Sequence, residues 1–431
     1  MIIGGLFMKK ILGLSLSAML AVSALAGCSS DKETSSNGKQ TIRVLSSDDF
    51  AGFREKAIKE FNKKYPNIEV KLEHVAYDQL HDKELAAFNA GGSAAYDVVD
   101  VDEIWTSEYA ESAFISPVTD RYTDEMKKGI LPASLNIASY KKDYYGVPMF
   151  NDVLFFYYNE ELLKKAGFNN PPQTWDEFAQ MSKTLQAKKL VPGNASSWGW
   201  SSNEGLVCYF TQFLGSFGGQ FFDDKGKPLF NSEAGVKALQ YMVDSMNKDK
   251  IVDPASINAN DRQILDSFKN GKTAFVSGWS FYWGEINGDD SQVKGKIKVG
   301  LLPAVTGAPH ATATGSMYLA VTPQTEHEDA AWKFIEFLGS KEMQKQQSLG
   351  AGSLPIWKDL YSDADLAKNH GALAEMGKQL ESTISRPSLE AYNEFSKTLQ
   401  VKLQEALLGK KDAKTALDEA AQKAEELTSS K

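Results

Sequence analysis

Two hydrophobic patterns alternate along residues 42–102, and this alternation constrains the fold more than any other feature of the sequence. Strand-like runs at 42–45, 68–72 and 98–101 are separated by segments whose apolar residues recur every three or four positions, as in a helix that packs one face. Strands that alternate with helices form parallel sheets with crossover helices. The sequence therefore predicts an α/β fold.

The first predicted crossover helix follows a polar segment, residues 46–49, with sequence Ser-Ser-Asp-Asp. Serine and aspartate cap helices, so this segment is predicted to begin the helix. The apolar face of that helix would be Phe50, Phe53, Ala57, Ile58 and Phe61. Ligands of open α/β sheets bind beyond the carboxyl ends of the strands, which places residues 46–49 and 102–105 at one rim.

A second α/β unit is predicted near residue 145. Residues 146–158 form an apolar and aromatic run that only Asn151 and Asp152 interrupt. A capping box at residues 174–177 predicts a helix. The inward face of that helix would be Phe178, Met181 and Leu185.

The remaining segments are distinguished by composition. Residues 193–222 are rich in Gly, Ser, Trp and Phe, which predicts either binding loops or a packed aromatic cluster. From Thr325 onward the pattern is helical, and residues 391–427 carry Leu, Ala, Lys and Glu at helical spacing. The last quarter of the chain is thus expected to be helical.

Composition limits the classes of function. The chain has 431 residues, 42% of them hydrophobic, which is enough for two or three domains. Its net charge is -9, so a nucleic acid partner is disfavoured. Two cysteines cannot form a disulfide scaffold, and five scattered histidines show no metal-ligand pairing. We therefore expect no metal and no cofactor.

Residues 1–27 are predicted to be a secretory signal, whose layout begins with Met8, Lys9 and Lys10. Residues 1–7 add nothing to that layout, so Met8 is an alternative start. A basic start leads into an apolar run that is shorter than the roughly 20 residues of a membrane span. The run ends Leu-Ala-Gly before Cys28, which looks like a bacterial lipobox, so Cys28 is the predicted lipidation site. Residues 28–40 are polar, as expected of a flexible tether. Cys208 is then left without a partner and is expected to be a buried structural residue.

No complete catalytic motif follows the predicted signal. Residues 271–273, Gly-Lys-Thr, resemble the end of a phosphate-binding loop, but Asp266 stands where such a loop requires glycine. The acids at 48–49 and 100–102 are candidates for glycoside hydrolysis, which needs two carboxyl groups about 5 to 9.5 Å apart. Acids at strand ends are more often caps or hydrogen-bond acceptors, so a binding protein is preferred to an enzyme.

Residues 145–167 read YGVPMFNDVLFFYYNEELLKKAG, and residues 171–178 read PPQTWDEF. These stretches resemble the extracellular solute-binding proteins of ABC importers, specifically the maltose/trehalose-type sugar-binding family. Similar supporting stretches lie at 65–70, 96–102, 271–279 and 330–338. The resemblance covers the chain from about residue 41.

The resemblance implies a two-lobed, periplasmic-binding-protein-like fold with a hinge and a cleft between the lobes. One lobe would contain residues 41–150 and 313–357. The other lobe would contain residues 151–312 and 358–428.

The resemblance also implies a sugar site in the cleft. Sugars present hydroxyl groups and flat C–H faces, so such a site combines polar acceptors with aromatic rings. The candidate ligand-binding residues, at matching positions or beside them, are Ser47, Asp48, Asp49, His81, Asp102, Trp105, Phe150, Asp152, Trp279, Phe281, Gly315 and Arg386.

Several candidates have structural alternatives. Residues 47–49 are also suited to helix capping, Asp100 is an alternative to Asp102, and the aromatic residues are alternatively core. Arg386 is alternatively part of a surface salt bridge. For Asp152 a purely structural role is the weaker alternative, because nothing in the local sequence caps or pairs it.

The function implied is capture of a di- or oligosaccharide and its delivery to the transmembrane subunits of an ABC permease. The protein would be a monomer, lipid-anchored on the outer face of a Gram-positive cell membrane, and not an enzyme. The alternatives are a secreted carbohydrate-active enzyme, a binding protein for another small solute, and an adhesin-like surface protein.

Overall fold

A computed structural model describes residues 38–47, 52–90 and 94–429. The predicted signal at 1–27, Cys28, most of the tether and the candidate residues Asp48 and Asp49 lie outside these ranges.

The described chain alternates strands with helices from its first residues onward. The strands are β1 Gln40–Ser46, β2 Ile68–His74, β3 Val98–Asp102, β4 Ser139–Tyr140, β5 Asp143–Tyr144, β6 Val147–Pro148, β7 Phe155–Asn159, β8 Ser196–Ser197, β9 Phe275–Gly278, β10 Ile297–Gly300, β11 Thr312–Ala313, β12 Met317–Val321 and β13 Thr383–Ile384.

The helices are α1 Phe53–Lys64, α2 Tyr77–Asn89, α3 Thr106–Glu111, α4 Asp124–Gly129, α5 Pro132–Ile137, α6 Glu160–Ala166, α7 Trp175–Ala187, α8 Glu204–Ser216, α9 Glu233–Asn247, α10 Asp261–Lys269, α11 Tyr282–Ile286, α12 Glu328–Leu338, α13 Lys341–Ala351, α14 Ala364–Asn369, α15 Leu373–Gln379, α16 Tyr392–Leu407 and α17 Ala413–Ser429. Short 3-10 helices cover Glu103–Trp105, Thr119–Arg121, Pro254–Asn258 and Lys358–Ser362. Within the described ranges, no helix combines the length and the apolar character that crossing a bilayer requires.

The first sheet has the strand order β2-β1-β3-β12-β6. β1 runs parallel to β2 and to β3, as predicted from the alternation of patterns. β12 is antiparallel to both of its neighbours, β3 and β6. The sheet is therefore mixed, and the late strand β12 completes it.

The second sheet has the order β10-β7-β9-β8, with β7 antiparallel to both of its neighbours. Helix α7 packs beside it and begins at the predicted capping box. The Thr174 hydroxyl accepts from the Glu177 backbone N–H at 3.1 Å, and the Glu177 carboxylate accepts from the Thr174 N–H at 3.2 Å. The α/β class and the capping box are both confirmed.

The predicted start of the first helix is wrong. Helix α1 begins at Phe53, and its N-cap is Gly52 in the left-handed region, with φ of 60° and no side-chain cap. Ser46 and Ser47 instead donate their hydroxyl hydrogens to Asp100 Oδ2, at 3.0 and 2.9 Å. Only glycine adopts this backbone conformation without steric cost, so the turn into the helix depends on Gly52.

The aromatic residues of segment 193–222 form a packed cluster, which is one of the two predicted alternatives. Trp198 and Trp200 are buried, and every residue of α8 from Leu206 to Ser216 is buried as well. A helix that is apolar on all sides belongs inside a protein. Cys208 lies on this helix and is a buried free thiol, as predicted.

The helical region after Thr325 is interrupted by β13 and by a 3-10 helix. The terminal stretch consists of two helices, α16 and α17, which pack against each other. Between them Gly409 has a φ of 68°.

Candidate functional site

The edge of the first sheet collects several predicted site residues. β1 ends at Ser46 and β3 ends at Asp102, and the antiparallel β12 begins opposite Asp102 with Met317. The carboxyl ends of β1 and β3 therefore meet the amino end of β12. Ser47 and Asp102 lie at this edge, as the topology rule predicts.

Three segments lie between this edge and the second sheet, and backbone hydrogen bonds join these segments to one another. Asn151 N–H donates to Leu354 O at 3.0 Å, and Gly315 N–H donates to Asp152 O at 3.1 Å. Leu154 N–H donates to Ala313 O at 3.1 Å. The chain thus passes between the two sheets in segments of irregular backbone, and these segments are held together by hydrogen bonds.

Arg386 is the centre of a buried ionic cluster beside these segments. Its Nη2 lies 2.9 Å from Asp102 Oδ1, and its Nη1 lies 2.9 Å from Glu204 Oε1. The exposed fractions of the three side chains are 1%, 4% and 12%. The surface salt bridge considered for Arg386 is therefore wrong. We name Asp102, Glu204, Arg386 and their hydroxyl partners Tyr77 and Tyr392 the Arg386 cluster.

The hydroxyl partners fix the carboxylates of this cluster. Tyr77 donates to Asp102 Oδ2 at 2.7 Å, and Tyr392 donates to Glu204 Oε1. Burial raises the pKa of Glu204, and Arg386 opposes that rise. The Nε of Arg386 is buried and has no hydrogen-bond partner in the described part of the chain. One polar group of the cluster is thus unused.

An aromatic wall adjoins the Arg386 cluster. The rings of Tyr77 and Trp105 stack with their centroids 5.8 Å apart and an interplanar angle of 18°. His81 lies 5.0 Å from Trp105, between centroids, and its Nε2 is 2.9 Å from Glu108 Oε2. Asn393 Nδ2 is 2.8 Å from the same histidine nitrogen. Trp105 is buried, and His81 belongs to a polar network that joins α2, α3 and α16.

Asp100 does not share the surroundings of Asp102. Its Oδ2 accepts from Ser46, from Ser47 and from Arg54 Nη1, the last at 2.9 Å, and Asp100 is completely buried. Asp102 is the acid that adjoins Arg386. Of the two acids considered from the sequence, Asp100 supports the first strand-to-helix loop.

Asp152 is buried where the connecting segments meet the second sheet. Its Oδ1 accepts from the backbone N–H groups of Ser280 at 2.8 Å and Val153 at 3.0 Å. The argument that nothing local pairs with Asp152 is therefore wrong, because Val153 follows it directly. Burial raises the pKa of Asp152 to about 7, and the two N–H donors limit the rise.

Trp279 follows β9 and lies half-buried next to Asp152. Its Nε1–H donates to Asp261 Oδ2 at 2.8 Å, and its ring lies directly against Gly315. Phe281 is half-buried nearby, with its ring centroid 5.1 Å from that of Tyr282. Phe150 is half-buried and packs against the core. The half-buried indole of Trp279 is an aromatic surface of the kind that stacks on a flat molecule.

Residues 45–345 match the family described as bacterial extracellular solute-binding protein. The chain belongs to this family. The two-lobed fold of solute-binding proteins accounts for the two sheets and the three connecting segments.

Similar solute-binding proteins cover much of the chain. Maltose-bound MalE3 of T. maritima has a TM-score of 0.85 and 29% identity, covering 90% of this chain and 99% of that one. An arabinooligosaccharide-binding protein of Bacillus subtilis is 28% identical over 82% of this chain and 81% of that protein. A probable ABC transporter-binding protein of Deinococcus radiodurans is 29% identical over 58% of this chain, and the chain spans only 61% of its length.

Sequence reasoning missed polar residues of this solute-binding protein that contact the candidates, among them Tyr77, Glu204 and Asp261, and it missed Tyr392, which contacts Glu204. Each of these four begins a helix, as the first residue of α2, α8, α10 or α16. Asn260, which precedes Asp261, forms a capping box with Gln263, and the pattern Asn-x-x-Gln is the one available sequence signal. That signal predicts the helix start but not the contact with Trp279.

Proposed function

We propose that this solute-binding protein captures a di- or oligosaccharide outside the cell and passes it to the transmembrane subunits of an ABC permease. The observation that carries the proposal is a buried guanidinium with carboxylates beside it at the edge of the first sheet, together with a half-buried indole that follows β9 of the second sheet. Such a set offers hydrogen bonds to sugar hydroxyls and a flat surface to a sugar ring.

Two relatives whose ligands are known by name support the same class of ligand. One was solved with maltose, and the other is named for arabinooligosaccharides. These sugars share a ring with several hydroxyl groups, and the residue types of the site suit that shared chemistry. The ligand-binding set proposed for this chain consists of the residues predicted from the sequence, with Asp102, Trp279 and Arg386 at its centre.

We further propose that the two lobes comprise residues 41–150 with 313–357, and residues 151–312 with 358–428. The strands of the first sheet fall in the first set of residues, and those of the second sheet fall in the second. Arg386 and Asp102 then belong to different lobes, so their contact of 2.9 Å bridges the cleft.

The sugar proposal is tested by a thermal-shift and calorimetry screen of the purified protein. The ligands are maltose, maltotriose, arabinobiose and arabinotriose, with glycine betaine as a non-sugar solute. A ligand at 100 times its dissociation constant should add about 2.7 kcal/mol to the free energy of unfolding. Stabilisation by glycine betaine but by none of the four sugars would contradict the proposal.

An enzyme remains the second candidate because of one observation. A pKa of about 7 for Asp152 is the property of a general acid in glycoside hydrolysis. Against that role, Asp152 Oδ1 already accepts two backbone hydrogen bonds. Incubation with the same four oligosaccharides should release no shorter sugar, and any release proportional to protein concentration would establish the enzyme instead.

We also propose that Cys28 carries a lipid that anchors the protein on the outer face of a Gram-positive cell membrane, where it acts as a monomer. Changing Cys28→Ala removes the only thiol of the predicted lipobox. The variant should therefore leave the membrane fraction and appear in the medium. Cys208→Ala is the matched control, because that thiol is buried in α8. Fractionation of cells that express each variant gives the answer, and a Cys28→Ala protein that stays with the membrane would refute the anchor.

A further inference from the structure

Trp279 is held from several directions at once. The hydroxyl of Tyr157 donates to Trp279 O at 2.8 Å, and the backbone N–H of the next residue, Ser280, donates to Asp152 Oδ1 at 2.8 Å. These two hydrogen bonds hold the backbone at Trp279 in place. They leave the rotation of the side chain about its own bonds undetermined.

Gly315 limits the position of the indole at its six-membered ring. A Cβ added at Gly315 would lie 2.3 and 2.4 Å from Cζ3 and Cη2 of the Trp279 ring. Real Cβ atoms do not approach ring carbons so closely, so only glycine lets the ring lie where it does. The six-membered part of the indole is thus set against backbone.

Asp261 fixes the opposite end of the same ring. The nitrogen Nε1 of Trp279 donates to Asp261 Oδ2 at 2.8 Å, while Tyr209 donates to Asp261 Oδ1 at 2.9 Å. Asp261 is the first residue of α10, and that helix packs against β9, which leads into Trp279. Each carboxylate oxygen therefore has one donor, and the pair of bonds defines the plane of the carboxylate.

We propose that Asp261 is a positioning residue that orients the indole of Trp279 for stacking on the ligand. The proposal rests on the proposed function, because it takes Trp279 to be the stacking surface. With one edge of the ring against Gly315 and the nitrogen bonded to Asp261, the indole has a single orientation before any ligand arrives. Such preorganisation avoids the entropic cost of ordering a side chain on binding.

The chemistry of the two donors predicts which substitutions of Asp261 are tolerated. An indole N–H can only donate, whereas a tyrosine hydroxyl can donate or accept. In Asp261→Asn the amide oxygen can still accept from Trp279, and the amide NH2 can donate to Tyr209. In Asp261→Ala neither bond is possible. The asparagine variant should therefore keep the indole in place, and the alanine variant should release it.

The first experiment needs no ligand. Indole N–H signals are recorded by nitrogen-15 NMR on the full chain, and the Trp279 signal is the one that disappears in Trp279→Phe. In Asp261→Ala this signal should move upfield and exchange with solvent faster than in the wild type, while in Asp261→Asn it should stay protected. Asp266→Ala, which removes an exposed acid from the same helix, is the control. An unchanged Trp279 signal in Asp261→Ala would overturn the proposal.

The second experiment measures maltose binding by calorimetry. Asp261→Ala should weaken binding about 10-fold, the lower end of the loss seen when a supporting hydrogen bond is removed at metal sites. Asp261→Asn should restore most of the affinity. In a Trp279→Phe background, Asp261→Ala should cause no further loss, because the N–H through which Asp261 acts is already absent. A full 10-fold loss in that background would overturn the positioning role.

The two proposals fail in different ways. If the wild type binds neither maltose nor the other sugars, the proposed function fails, while the NMR result still decides whether Asp261 orients Trp279. If sugars bind and the NMR signal does not respond to Asp261→Ala, the positioning role fails alone. Should Asp261→Ala not fold, Asp261→Leu and the asparagine variant supply the same comparison.

Discussion

Arg386→Met should lower the free energy of unfolding of the ligand-free protein by about 3 to 5 kcal/mol, as expected when one partner of a buried ion pair is removed. The change leaves the carboxylates of Asp102 and Glu204 without their counter-charge, although their side chains are only 4% and 12% exposed. Methionine keeps much of the aliphatic volume, so the loss reports on charge. Urea unfolding followed by circular dichroism measures it.

Arg121→Met is the matched control for this prediction. Arg121 also bridges two carboxylates, Glu328 and Asp329, each at 2.8 Å, but its side chain is 36% exposed. Exposed ion pairs contribute about 0 to 1 kcal/mol, so the control should change little. Adding Asp102→Asn and Glu204→Gln to Arg386→Met should recover part of the loss. Equal effects of the Arg386 and Arg121 variants would mean that the Arg386 cluster is open to solvent in the free protein.

Asp152→Asn should change how stability depends on pH. The carboxyl has a folded pKa of about 7 against 3.8 as its ordinary value, so the folded protein holds the proton more tightly than the unfolded chain. Wild-type stability should therefore fall as pH rises from about 4 to about 7, by up to about 4 kcal/mol from this group. Asparagine cannot ionise, and its amide oxygen can keep both backbone hydrogen bonds.

The measurement compares urea unfolding of the wild type and Asp152→Asn at several pH values between 4 and 8. The variant should gain stability relative to the wild type as pH rises, and the difference should level off above pH 7. Asp266→Asn, an exposed acid on α10, should follow the wild-type curve closely. Parallel curves for Asp152→Asn and the wild type would show that Asp152 is not a buried acid with a raised pKa.

Local patterns predicted the parts of this fold that depend on local interactions. The three parallel strands β1, β2 and β3 and the capping box of α7 were predicted because period and capping chemistry involve neighbouring residues. The turn into α1 was wrong, since polar residues after a strand favoured side-chain capping where the chain uses Gly52. Helix α8 was not predicted, because an entirely buried helix has no polar face to reveal its period.

The candidate site shows the same difference between local features, which the sequence predicts, and contacts between distant residues, which it does not. The resemblance to sugar-binding proteins pointed to Asp102, Asp152, Trp279 and Arg386, and their ligand contacts stay predictions. Their partners in the structure could not be predicted, because each partner is distant in sequence. Arg386 contacts Glu204 across most of the second half of the chain. A hydrogen bond between distant residues leaves no periodic trace in the sequence.

The position of β12 between β3 and β6 has a consequence for the order of folding. During translation the first three strands emerge early, but the strand that joins β3 to β6 is made only after the entire second sheet. Contacts between such distant segments give a high contact order, and chains of this kind fold slowly. We expect the first sheet to stay open until β12 has left the ribosome. If residues 1–27 are a secretory signal, the chain that they direct to export would still be incompletely folded at that stage. An incompletely folded chain can pass through a translocation pore.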